Sequence, residues 1–150
     1  MANEDYKSNL KPQIKLKNVL KTDCLFLYEL LKERDSNVNI SHKKMPIYDE
    51  HVKFVMSKPY SKWYIIQKDS QSIGSIYLSK QNEIGIFLIK NMQGRKIGQI
   101  ALEMLMKKHP KHRYLANINP KNKKSIDFFI QNNFKLIQCT YELTNSKKDN

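Results

Sequence analysis

Cysteine, glycine and acidic residues are scarce in this chain, and each scarcity closes off a class of protein. The chain has 2 cysteines in 150 residues. Cys24 and Cys139 both fall in apolar-periodic segments, so they read as small buried hydrophobes in a reducing cytoplasm. Neither a disulfide framework nor a metal site is expected from them. The 4 histidines show no ligand spacing, which argues against structural zinc. With 4 glycines in all, neither the Walker phosphate loop nor the three-glycine dinucleotide fingerprint can be written anywhere in the sequence. No apolar run approaches membrane-spanning length, and the opening residues are acidic and polar, so neither a membrane span nor a signal peptide is expected. A cytoplasmic location follows as the expectation.

The acidic deficit is the largest of these. There are 14 Asp+Glu against 27 Lys+Arg, a formal net charge of +13. Such a charge attracts polyanions of any kind. Nucleic acid is not the favoured partner, because the cations are spread along the chain and the aromatics carry no RNA-recognition signature. A phosphate-bearing small molecule is equally an anion, and a lysine-rich solvated surface explains the charge without any partner.

Length and pattern point to one domain over residues 1–150, with polar, flexible tails at 1–12 and 145–150. Ile14 to Leu20 alternate like a strand. Thr22 can cap a helix whose stripe is Cys24, Leu27, Tyr28 and Leu31. Asp35 begins a loop. A second helix after Pro46 puts Tyr48, His51, Val52 and Val55 on one face, and Pro59 closes that region. Trp63 to Gln67 and Ser72 to Leu78 read as a hairpin with a polar turn between them. Glu83 to Ile89 is an apolar run suited to a central strand. Ile97, Ile100, Ala101, Met104 and Leu105 recur at helical spacing, and Pro110 stops that helix. A strand near Tyr114 to Asn117, a further helix and a last strand from about Phe134 to Leu143 complete the order.

Between the apolar strand and the long helix lies Gln93-Gly94-Arg95-Lys96-Ile97-Gly98. A tight basic turn feeding a helix N-terminus offers a cluster of unpaired backbone N–H groups, which favours bound phosphate. The segment resembles motif A of the Gcn5-related N-acetyltransferase (GNAT) family, Gln/Arg-x-x-Gly-x-Gly/Ala. Gln93 and Gly98 match, and Lys96 replaces the middle glycine, which is tolerated only if its φ is below zero. A second stretch resembles the family's motif B, Asn-x-x-Ala/Ser-Ile-x-x-Tyr with a closing Gly-Phe. Here it reads Asn122, Ser125, Ile126, Phe129 and then Asn133-Phe134. The resemblance spans about residues 60–143.

That resemblance implies a three-layer α+β fold: a mostly antiparallel sheet of about six to seven strands with the fourth and fifth splayed apart, and about four helices. It implies acetyl-CoA as cosubstrate, with no metal. The amides of Gly94, Arg95, Lys96, Ile97, Gly98 and Gln99 would hold the pyrophosphate, helped by the helix dipole. Gly98, with no side chain, would sit against it. Ile86, Phe87 and Leu88 would pair through their backbones with the pantetheine arm, and one N–H would stabilise the developing oxyanion. Asn122, Ser125 and Phe129 would face the same arm, Asn122 doubling as a helix cap.

Acetyl transfer to an amine whose pKa is about 10 requires a proton acceptor. Family members place a base, often acting through water, near the start of the splayed strand, where this chain has Glu83. The other usual carboxylate position holds Asn117. The family's acid is a tyrosine at the position of Phe129, which cannot donate a proton. Tyr141 on the last strand is the substitute hydroxyl, and thiolate is in any case a fair leaving group.

The acceptor site in this family lies among the first two helices and the later strands. Here Ile40 to Pro46, Glu50-His51 and Pro59 to Tyr64 are rich in polar and aromatic groups, suggesting a small polar acceptor. His42 or His51 could act as base or ring contact, although a histidine on an apolar helix face is commonly a satisfied core residue. At a distance the pattern is similar to small acetyltransferases of nucleotide-amino-sugar and surface-polysaccharide synthesis. Three readings stand: an amine N-acetyltransferase, with a nucleotide amino sugar ahead of a protein N-terminus, a lysine or a polyamine; a CoA-binding module without turnover; and a basic nucleic-acid-binding protein. A homodimer is left open.

Overall fold

The structure is a computed structural model, and it describes residues 13–34 and 44–145. The expected tails other than Asn145, the loop at Asp35, and His42 with its neighbours lie outside the described residues.

The elements run β1 (Ile14–Asn18), α1 (Cys24–Glu33), α2 (Tyr48–Met56), β2 (Lys62–Lys68), β3 (Gln71–Leu78), β4 (Ile84–Leu88), α3 (Ile97–Lys108) and α4 (Lys123–Gln131). Among the described residues the sheet has four strands in the order β1-β2-β3-β4, every neighbour antiparallel. The β2–β3 hairpin turns on Asp69 and Ser70, both at positive φ (49° and 67°), the handedness that matches strand twist.

Strand alternation divides the core in two. One sheet face carries Tyr64, Ile66, Ile76, Leu78 and Ile84 against Ile97, Ala101, Leu102 and Leu105 of α3. The other presents Ile65 and Trp63 to Cys24 and Leu27 of α1 and to Val55 of α2. Phe128 of α4 joins the α3 side. The result is helices, sheet, helices, with the α1–α2 face less completely filled.

Several expectations are corrected. The sheet of six to seven strands is a sheet of four, because pairing beyond β4 shrinks to a single parallel bridge, Glu83 with Leu115. The expected last strand over Phe134 to Leu143 forms no ladder, and Tyr141 and Leu143 stand 93% and 88% exposed. Alternation in that segment favours an extended chain, but a strand also needs a partner edge, and no described element supplies one. Cys139 is accordingly exposed rather than buried.

Thr22 does not cap α1. It lies in the 3-10 turn Lys21–Asp23, where the Asp23 carboxylate accepts the Leu20 N–H (2.8 Å) and pairs with Lys17 Nζ (2.7 Å). In α3 the buried stripe includes Gly98 and Leu102, while Ile100 is outside it.

Candidate active site

Strand β4 leads into the 3-10 turn Lys90–Met92, then the exposed residues Gln93 to Lys96, then α3. Gly94 takes φ +73°, and nothing lies within 4 Å of where a Cβ would stand. Lys96 is the N-cap of α3 and sits in the left-handed region, φ 62° and ψ 5°. This corrects the expectation of negative φ. A left-handed lysine costs about 1–2 kcal/mol, a cost found where a turn is held for a purpose.

No side chain caps α3, so its first amides point into the open turn. Gln93 braces the turn, its Nε2 donating to the Leu88 carbonyl at 3.0 Å. An open, left-handed turn at an uncapped helix N-terminus fits a diphosphate. Arg95 and Lys96 are exposed beside it. Gly98, by contrast, is buried, and a Cβ there would meet the Phe128 ring at 3.1 Å. Its bare Cα serves the packing of α3 on α4.

Next to the turn is the free edge of β4. Ile84 N–H donates to the Leu115 carbonyl (2.7 Å), while Glu83 C=O accepts from Ser79 N–H (2.8 Å) and Ile89 N–H donates to Ile73 (2.9 Å). Alternation therefore turns the amides of Ile86 and Leu88 away from β3, toward the segment that carries Leu115. Among the described residues the bridge of Glu83 with Leu115, closed by that Ile84 hydrogen bond, is the only pairing between segment and strand, and none continues along Ile86 and Leu88. The Ile86 and Leu88 side chains pack on the α3 core.

On the α1–α2 face, β4 borders a cavity of about 670 Å³. Phe87, Ser75, Tyr77 and Trp63 rise from the sheet, Arg34 and Leu31 come from the end of α1, Glu50, His51 and Phe54 from α2, and Tyr60 from the loop before β2. The Tyr60 and Tyr77 rings stack at 3.8 Å with 3° between planes, and Trp63 meets Tyr60 edge-on at 4.9 Å. Gly85 makes room for this: a Cβ there would lie 2.2 Å from the Tyr77 ring. Burial pushes both tyrosine hydroxyls above their usual pKa, so both keep their protons at neutral pH.

The expected catalytic residues are scattered unequally. Glu83 is half-buried at the start of β4, where the Ser79 hydroxyl accepts its N–H (3.0 Å). It shares the sheet face of Gly85 and Phe87, and its charge reaches Tyr77. His51 is 5% exposed and lines the cavity, with its ring 5.3 Å from that of Tyr28 and its Nε2 buried without a partner. Burial lowers its pKa, so its ring is neutral at pH 7. Tyr141, fully outside the sheet, is not brought to either of them.

Asn122 caps α4 by accepting the Ser125 N–H (3.2 Å), and Asn133 at φ 69° closes the same helix where the motif has glycine. Phe129 is 6% exposed, wedged edge-on between Phe128 and Phe134. Sequence reasoning missed Arg34 and Tyr77. The available signal for Tyr77 was Gly85, a glycine inside an otherwise apolar strand, which marks a close approach.

The site thus lies in an α+β fold, an antiparallel sheet between helix layers that opens along one strand beside an uncapped helix. The model of the acetyltransferase (GNAT) family matches residues 25–134, and the chain belongs to that family. Solved structures share the fold. A domain from Methanocaldococcus jannaschii DSM 2661 aligns with a TM-score of 0.75 at 21% identity, covering 88% of this chain and 94% of that one. The aminoglycoside N-acetyltransferase AAC(6')-Iy in complex with CoA gives 0.69 at 13%, covering 91% and 97%. RimL, the ribosomal L7/L12 alpha-N-protein acetyltransferase in complex with coenzyme A, gives 0.67 at 18%, covering 87% and 84%. No curated protein matches. Among the described residues no helix is long and apolar enough to cross a membrane, and no group of His, Cys, Asp and Glu could hold a metal ion.

Proposed function

We propose that this chain transfers an acetyl group from acetyl-CoA to the primary amine of a small polar acceptor, both substrates being bound at once. The observation that carries the reading is the position of β4. Ile86 and Leu88 offer amides to one side of the strand, beside the open turn, while Phe87 between them faces the aromatic cavity. A donor held by the turn and an acceptor held in the cavity would meet at this strand.

Acetyl-CoA, when bound, supplies the activated thioester. The chain's own residues do the rest. The turn amides from Gly94 to Gln99 hold the diphosphate, and the Ile86 and Leu88 amides orient the arm along the strand edge. Glu83 takes the amine proton, directly or through water, and the protonated Tyr77 beside it donates a hydrogen bond. His51, neutral and cavity-facing, is the alternative acceptor of that proton.

A stacked aromatic wall suits a ring-bearing acceptor such as an amino sugar, including a nucleotide-linked one. A polyamine fits less well, because among the described residues Arg34 and Lys44 outnumber the one cavity carboxylate, Glu50. Calorimetric titration with acetyl-CoA, followed by thiol release with a panel of amines, tests the reading. Micromolar binding with release on amino sugars is expected. Binding without release on any amine would leave a CoA-binding module.

A further inference from the structure

Arg34 ends α1 half-buried on the cavity wall. Its Cζ lies 3.9 Å from the centroid of the Phe87 ring, and its Nε is buried with no hydrogen-bond partner. Among the described residues, the ion pairs join Lys17 to Asp23 and Lys32 to Glu29, and neither involves it. The groups that act on it electrostatically are the Tyr60 and Tyr77 hydroxyls, both protonated. Glu50, the one carboxylate on the cavity wall among the described residues, is exposed.

A desolvated cation without an anion is costly to keep. Stacking on Phe87 offsets part of that cost. It leaves the Nε–H without a partner among the described residues, and the planar guanidinium fork to which that N–H belongs matches the two oxygens of a carboxylate or phosphate. A lysine-rich chain that places an arginine here has chosen fork geometry over point charge.

We propose that Arg34 anchors an anionic group of the acceptor, so that the amine acetylated by this chain also carries a carboxylate or a phosphate. The inference rests on the cavity being the acceptor site. The anion would be seated over Phe87, whose chain neighbours Ile86 and Leu88 turn their amides to the free edge of the same strand. Anion and amine therefore belong to one compact molecule.

Matched pairs test this by calorimetry on the full chain with CoA present: glucosamine 6-phosphate against glucosamine, and free serine against ethanolamine. The anionic member of at least one pair is expected to bind about tenfold tighter or more. Which pair responds tells phosphate from carboxylate. Arg34→Gln should erase the difference and leave CoA affinity unchanged. Arg34→Met, which keeps an aliphatic stem over Phe87, serves the same end if the glutamine variant does not fold.

A preference that survives both substitutions, or equal binding within both pairs, overturns the proposal. An Arg34 that is merely structural would lower the melting temperature in the variants and leave the preference intact. CoA titration of the wild type separates the two levels. No CoA binding defeats the functional reading itself, whereas CoA binding without anion preference defeats only the anchor.

Discussion

The two sides of β4 are built from different material. Toward the turn, the groups proposed to bind are backbone: amides at an uncapped helix end, a glycine at φ +73° and a lysine at φ 62°. Toward the cavity they are side chains from α1, α2, β2, β3, β4 and two loops, several of the rings stacked or packed edge to face. A backbone site depends on local conformation, so a few adjacent residues encode it. A side-chain site depends on tertiary assembly, so its residues are dispersed and its contents can change without disturbing the fold.

That difference governs what could be read in advance. The turn was legible as Gln93 to Gly98 because phosphate recognition demands contiguous amides. Even there, the backbone conformation at Lys96 came out differently, since φ is not written in residue type. The aromatic cavity was legible only as composition around Glu50, His51 and Tyr60 to Trp63. Arg34 escaped because a charged residue at a helix end ordinarily reads as solvated. Helix and hairpin positions followed from periodicity. The last strand failed because alternation records a preference for extended backbone and cannot record whether a partner edge exists.

The contrast can be broken by substitutions that strike one side alone. The largest effect is expected from Glu83→Gln, which removes the proposed proton acceptor while keeping its shape. kcat/KM for the amine should fall by about 100-fold or more, in the range of a lost general base, with acetyl-CoA affinity unchanged. If kcat/KM falls by less than about threefold, the base is elsewhere, and His51→Gln is the next variant to assay.

Gly85→Ala should come next. Its Cβ would stand 2.2 Å from the Tyr77 ring, so the Tyr60–Tyr77 stack must shift. Overpacking of this kind costs about 1–3 kcal/mol. Chemical denaturation should register that loss, and acceptor binding should weaken while the turn still binds CoA. Undiminished stability and unchanged acceptor binding would show that the ring moves freely and that the stack does not shape the cavity.

A smaller but more pointed effect is expected at Lys96, where the backbone half of the site can be changed in charge without being changed in shape. Asn and Asp both tolerate the left-handed region better than Lys, and an acid beside a helix N-terminus is favourable to the helix. Acetyl-CoA should therefore be titrated calorimetrically into the wild type, Lys96→Asn and Lys96→Asp, with melting temperatures taken on the same samples. Lys96→Asp should keep or raise the melting temperature and lose about tenfold in affinity, roughly 1.4 kcal/mol, with Lys96→Asn lying between it and the wild type. Equal affinity for all three proteins at equal stability would mean that the diphosphate does not lie at the mouth of α3.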